Sequence, residues 1–198
     1  MPTKPASSLR RLALVALAAG ALAAAAPRAH AAFVLTLAES GADVVITGAG
    51  SVNYSALTNS SAIDGALGRF GPSYAYVMII GAGTAYQGIT GPTSFGPGDI
   101  VNASSSTGSL IGVYGGGHYL YVPASYVAGT FTSGTETYAN KSFASLGFTP
   151  GTYTYTWGSG ATADSMTVTS VVPEPSTWAA VALGAGLLGV VTLRRRAV

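Results

Sequence analysis

The chain has 198 residues, no cysteine and a formal net charge of +2, with 48% apolar and only 8% charged residues. That length fits one ordinary domain, the apolar content excludes a wholly disordered chain, and the missing cysteine excludes disulfides, thiolate metal sites and cysteine nucleophiles. The basic balance belongs to the two ends. Between residues 32 and 172 only Arg69 and Lys141 stand against six acids, which leaves the body at −4 and without a basic footprint for nucleic acid.

Lys4, Arg10 and Arg11 precede residues 12–26, a run of Leu, Ala and Val with one Gly. The run is short for a bilayer span, and Ala29-His30-Ala31 supplies the small residues that signal peptidase requires at a cleavage site. Residues 1–31 are therefore expected to be a secretory signal peptide cut after Ala31 by signal peptidase.

Residues 32–171 predict one all-β domain, an antiparallel β-sandwich or barrel-like fold, because short β-rich runs alternate with Gly, Pro and Ser. Runs 33–37 and 43–47 flank the hairpin-like pair Ser40-Gly41. A longer run, 73–80, ends at Gly81-Ala82-Gly83. Residues 94–109, rich in Gly, Ser, Thr and Pro, predict a long loop. Runs 110–114 and 118–122 flank Gly115-Gly116-Gly117, and 126–132 follows. Residues 139–146 allow one helical turn at most. Runs 152–157 and 164–171 flank a Gly-Ser-Gly turn at 158–160.

The C-terminal segment, 172–196, has three parts. Pro173-Glu174-Pro175 is stiff and joins no ladder, so 172–177 reads as a linker. Residues 178–193 carry no charge and predict a transmembrane helix. At about 1.5 Å per residue the helix is short for a hydrocarbon core of about 30 Å, but Trp178 suits the interface and Arg194, Arg195 and Arg196 can snorkel and hold the inner side. The order Pro-Glu-Pro, apolar helix, terminal arginines resembles the PEP-CTERM sorting signal. The resemblance implies an exosortase as processing partner, cleavage near Pro173–Pro175, passage through the inner membrane, and delivery to the cell surface or the exopolysaccharide matrix. The body, with Gly91-Pro92-Thr93-Ser94-Phe95-Gly96 and the Thr149–Trp157 run, also resembles uncharacterised bodies of that class.

Catalysis finds little footing in the body. His118 is its one histidine and is expected to be a strand residue after the glycine turn. No metal ligand cluster, cofactor motif or nucleophile elbow accompanies it. Gly184–Gly189 matches G-x-G-x-x-G but lies in the apolar tail and follows no strand. The six acids are dispersed in sequence, and a hydrolase would need two of them about 5–10 Å apart in a cleft. No enzymatic role, cofactor or metal is expected.

Tyrosines are the suggestive residues. Tyr74/Tyr76, Tyr119/Tyr121 and Tyr153/Tyr155 lie at i, i+2, so each pair is expected on one strand face, either packed or presented to sugar rings. Thr152, Thr154 and Thr156 share the opposite face of their strand. An ice-binding surface would need such rows on several adjacent strands, and only one is evident. Asn53, Asn59, Asn102 and Asn140 each precede Ser or Thr by two positions and match the N-glycosylation pattern. The reading is an exported structural or adhesive surface or matrix protein; the alternatives are a carbohydrate-binding module using the tyrosine faces and a secreted two-carboxylate hydrolase.

Overall fold

The structure, a computed structural model, describes residues 32–171. Of the two compact units in the chain, 1–30 and 31–198, the described residues lie in the second. In chain order the strands are β1 (Phe33–Ser40), β2 (Asp43–Gly50), β3 (Thr58–Ala66), β4 (Arg69–Gly71), β5 (Tyr76–Met78), β6 (Gly81–Gln87), β7 (Val101–Asn102), β8 (Ser105–Gly108), β9 (Gly112–Tyr114), β10 (Tyr119–Pro123), β11 (Thr132–Tyr138), β12 (Thr152–Trp157) and β13 (Asp164–Val171). They form a six-stranded sheet in the order β12-β13-β1-β2-β11-β8 and a seven-stranded sheet in the order β3-β6-β10-β9-β5-β4-β7.

The two sheets make a sandwich-like fold because each turns an apolar face toward the other. In β1, Phe33, Leu35 and Leu37 point inward and are fully buried, while Val34, Thr36 and Ala38 alternate outward. Ile46, Tyr155, Met166 and Val168 complete this wall. Phe70, Val77, Val113 and Leu120 face it from the other sheet. Phe95, Phe143 and Phe148 come from connecting segments and close the core. Tyr155 fixes one corner: its hydroxyl donates to the Pro92 carbonyl at 2.8 Å, and a Cβ on Gly91 would come within 2.4 Å of its ring.

Three predicted hairpins are present. Ser40 opposes Asp43 across Gly41, whose φ of 64° is left-handed; Tyr114 opposes Tyr119; Trp157 opposes Asp164 across Gly158–Gly160. Most ladders are antiparallel, but β1 and β13 pair in parallel, Phe33 with Met166 and Ala38 with Val171. The body therefore begins at one end of the six-stranded sheet, and the described chain ends toward the other.

Several expectations are corrected. The run 73–80 is not one strand: a 3-10 turn, Pro72–Tyr74, separates β4 from β5, and Ala75 sits at φ 48°. Gly81-Ala82-Gly83 does not end a strand but begins β6, where the glycines let neighbouring backbone approach; a Cβ on Gly83 would meet the Val122 carbonyl at 2.1 Å. Residues 126–131 are turn and loop, and the strand starts at Thr132. The expected loop 94–109 holds β7 and β8. Among the described residues no helix is long and apolar enough to cross a membrane; segments 1–31 and 172–196 lie outside them.

Candidate functional site

Tyr76, Tyr114 and Tyr119 stand in one row across β5, β9 and β10, each opposite the next. With Tyr121 they occupy the outward face of the seven-stranded sheet, since the alternating residues Val77, Val113, Leu120 and Val122 belong to the core. Tyr76 makes edge contacts with Tyr114, centroids 5.5 Å apart at 86°, and with Tyr121, 6.0 Å apart at 84°. The ring quadrupole favours such T-shaped pairs. Tyr114 and Tyr119 are near-parallel, 26° and 6.3 Å apart.

These rings rest on Met78, Ala85 and Leu110, an apolar cluster separate from the sandwich core. Tyr76 and Tyr121 are buried within it, and Tyr114 and Tyr119 pack against it half-exposed. The glycine turn makes this possible. A Cβ on Gly117 would stand 2.6 Å from the Tyr114 ring and 2.8 Å from the Tyr119 ring, so a side chain there would push the pair apart. Burial pushes the Tyr76 and Tyr121 hydroxyls up, so both stay neutral phenols at physiological pH. The half-exposed rings of Tyr114 and Tyr119 offer apolar area, and the Arg69 guanidinium stands beside Tyr76 and opposes the upward shift.

The other predicted tyrosines behave differently. Tyr74 is 47% exposed but lies in the 3-10 turn, so it shares no strand face with Tyr76. Tyr153 and Tyr155 share the inward face of β12; Tyr155 is fully buried and Tyr153 packs 4.7 Å from Phe95. Tyr155 is closed to a ligand, and the Tyr153 hydroxyl is taken up by the Thr149 carbonyl at 2.6 Å. Tyr114 was missed, although it ends the run before the glycine turn and a hairpin there sets it opposite Tyr119.

The outward face of the six-stranded sheet corrects the expectation of a single threonine stripe. Thr152, Thr169, Thr36, Thr47, Thr135 and Thr107 stand opposite one another in turn, one from each strand from edge to edge. Thr152 and Thr169 share a hydroxyl hydrogen bond at 2.9 Å.

Glu136 is the buried carboxyl among the described residues. It points inward from β11. Tyr138 Oη donates to its Oε2 at 2.8 Å, while Oε1 has no partner. Gly68 makes the space: a Cβ there would fall 1.7 Å from Oε1. Burial pushes the carboxyl up to about 8, against the opposing pull of the Tyr138 bond, so Glu136 is largely protonated at neutral pH.

Three other acids hold the backbone. Glu39 accepts from Phe143 N at 2.6 Å, Asp43 from Asn140 N at 2.8 Å, and Asp164 from Asn53 N at 2.5 Å. Asp64 and Asp99 are exposed. Among the described residues no three His, Asp or Glu side chains gather as metal ligands. His118 is an exposed turn residue at φ 62°, not a strand residue; β10 begins after it.

Asn59, Asn102 and Asn140 are exposed, whereas Asn53 is half-buried and its Oδ1 accepts from the Ser55 hydroxyl at 2.6 Å. Ala29, Ala31, Pro173, Glu174, Pro175, Trp178, Arg194, Arg195 and Arg196 lie outside the described residues.

A family model described as the PEP-CTERM protein-sorting motif matches residues 171–196. No curated protein and no solved structure matches the chain. The chain thus carries a PEP-CTERM motif, a signal processed by exosortase, which marks an exported precursor sorted to the cell surface or exterior.

Proposed function

We propose that the protein is an exported structural or adhesive component of the cell surface or extracellular matrix. Residues 1–31 serve as a signal peptide, and the tail 172–196 acts as a temporary membrane tether. The observation that carries the reading is the sorting motif at 171–196. The body supports it with a charge-poor sandwich whose Glu39, Asp43 and Asp164 hold backbone N–H groups. The reading assigns no catalytic step to the body. Replacing Pro173, Glu174 and Pro175 together with alanine tests it: the variant should stay in the inner membrane with its tail attached. Unchanged delivery to the surface would overturn it.

A second reading, binding of polysaccharide by the body, is favoured by the row Tyr76–Tyr114–Tyr119. Its outward rings, Tyr114 and Tyr119, are half-exposed, and grouped aromatic area of this kind supports an interaction surface. The pairs named from sequence narrow to Tyr119 with the newly found Tyr114. Tyr76 and Tyr121 support them from below. Retention of the protein on a column of matrix polysaccharide, and its loss on Tyr114→Ala, tests this reading.

A further inference from the structure

We infer that the threonine face of the six-stranded sheet is a self-association surface that packs against the same face of a second copy of this chain. The inference does not depend on the tyrosine row, which lies on the other sheet.

The row Thr152–Thr169–Thr36–Thr47–Thr135–Thr107 crosses all six strands in register. Apolar residues flank it: Val34 is 37% exposed and Val171 51% exposed. The face carries no lysine, arginine or glutamate at its outward positions. Its one acid, Asp43, sits at a strand end with Oδ1 held by Asn140 N. Charged outward residues are the usual device that keeps sheet surfaces apart, and none stands in the middle of this one. A two-fold contact sets the same face against itself, residue i on j and j on i, so an uncharged face meets its copy without like-charge repulsion. Where the hydroxyls bond each other, as Thr152 and Thr169 do, covering them leaves fewer unpaired groups.

Size and shape select this occupant. Six strands about 4.8 Å apart and some seven residues at about 3.4 Å each span roughly 29 Å by 24 Å. Two such faces cover about 1,400 Å², inside the range of stable pairwise interfaces. Neighbouring strands twist by about 20–25°, so six of them turn through roughly 100° or more. A flat lattice such as an ice plane cannot follow that surface. A second twisted sheet can, as the inner face of this sheet does within the sandwich. The edge route is closed on one side, where Thr90 and Thr156 exchange backbone hydrogen bonds at 2.9 Å beside β12.

The chain contains no cysteine, which permits a direct test on the exported protein recovered from its cells. Thr47 lies on one of the two central strands, close to a two-fold axis through the middle of the face, and Thr47→Cys adds no charge. Mild oxidation should convert Thr47→Cys to a disulfide dimer at least about tenfold faster than Ser60→Cys on exposed β3. Sedimentation of the unsubstituted protein should show a dimer that grows with concentration. Thr47→Lys should shift it to monomer, and mixing Thr47→Lys with Thr47→Glu should restore the dimer. Equal oxidation rates, a monomer at all concentrations, or a Thr47→Lys dimer as stable as the original would overturn the inference. So would a monomer whose ice or polysaccharide binding is lost on Thr47→Lys.

Discussion

Tyr114 and Tyr119 face each other across the β9–β10 hairpin, rings 6.3 Å apart and 26° from parallel, over a glycine turn with no room for a Cβ. The pair is half-exposed and backed by the edge of Tyr76, so ring area is presented in a fixed orientation at little entropic cost.

Tyr114→Ala and Tyr119→Ala should each weaken retention on polysaccharide by about 2 kcal/mol, the scale of an aromatic anchor, with little change in melting temperature. Affinity electrophoresis with a thermal melt reads both. Tyr121→Ala should instead lower stability, because that ring is buried. Equal retention for all three variants and the parent would remove the tyrosine face from the account.

Tyr155 and Gly91 give a test of the core. Tyr155→Phe removes the hydroxyl bond to the Pro92 carbonyl and should cost about 1–2 kcal/mol. Gly91→Ala should cost about 1–3 kcal/mol, since the new methyl meets the Tyr155 ring and the Thr154 carbonyl at 2.4 and 2.9 Å. Denaturant melts measure both. A neutral Gly91→Ala would mean that the Pro92 segment does not pack on Tyr155 as described.

Glu136 sets a pH dependence. Its folded value is raised to about 8, and the unfolded carboxyl titrates near the ordinary value of about 4.3. Between those values the folded chain keeps a proton that the unfolded chain has lost. Its contribution is full below the unfolded value and is lost as pH rises through the folded one. Relative to Glu136→Gln, the parent should lose stability from roughly pH 5 to pH 8.5, by an amount on the order of a few kcal/mol. Parallel pH profiles of the two proteins would contradict a neutral buried Glu136.

The hairpins were legible because their signals are local: Gly41, Gly115–Gly117 and Gly158–Gly160 each separate two apolar runs. β3, β6, β8 and the full extent of β11 were hidden because their residues are Gly, Ser, Thr and Ala, which read as loop until a neighbouring strand pairs with them. The same limit hid the threonine row. Thr36 and Thr47 were visible on expected strands, but their alignment with Thr135 and Thr107 depends on long-range register. The i, i+2 spacing of Tyr74 and Tyr76 does not put them on one strand face, because Ala75 takes a left-handed conformation that only the packed turn imposes. Glu136 carried no sequence signal, since its burial comes from the sheet packed above it.

The central claim is that two terminal segments address an otherwise independent body. The intact mass of the protein recovered from the cell exterior tests this most directly. The account predicts a chain that begins at Ala32 and ends within residues 172–175. A mass that retains residues 1–31, or the tail through Val198, would contradict it.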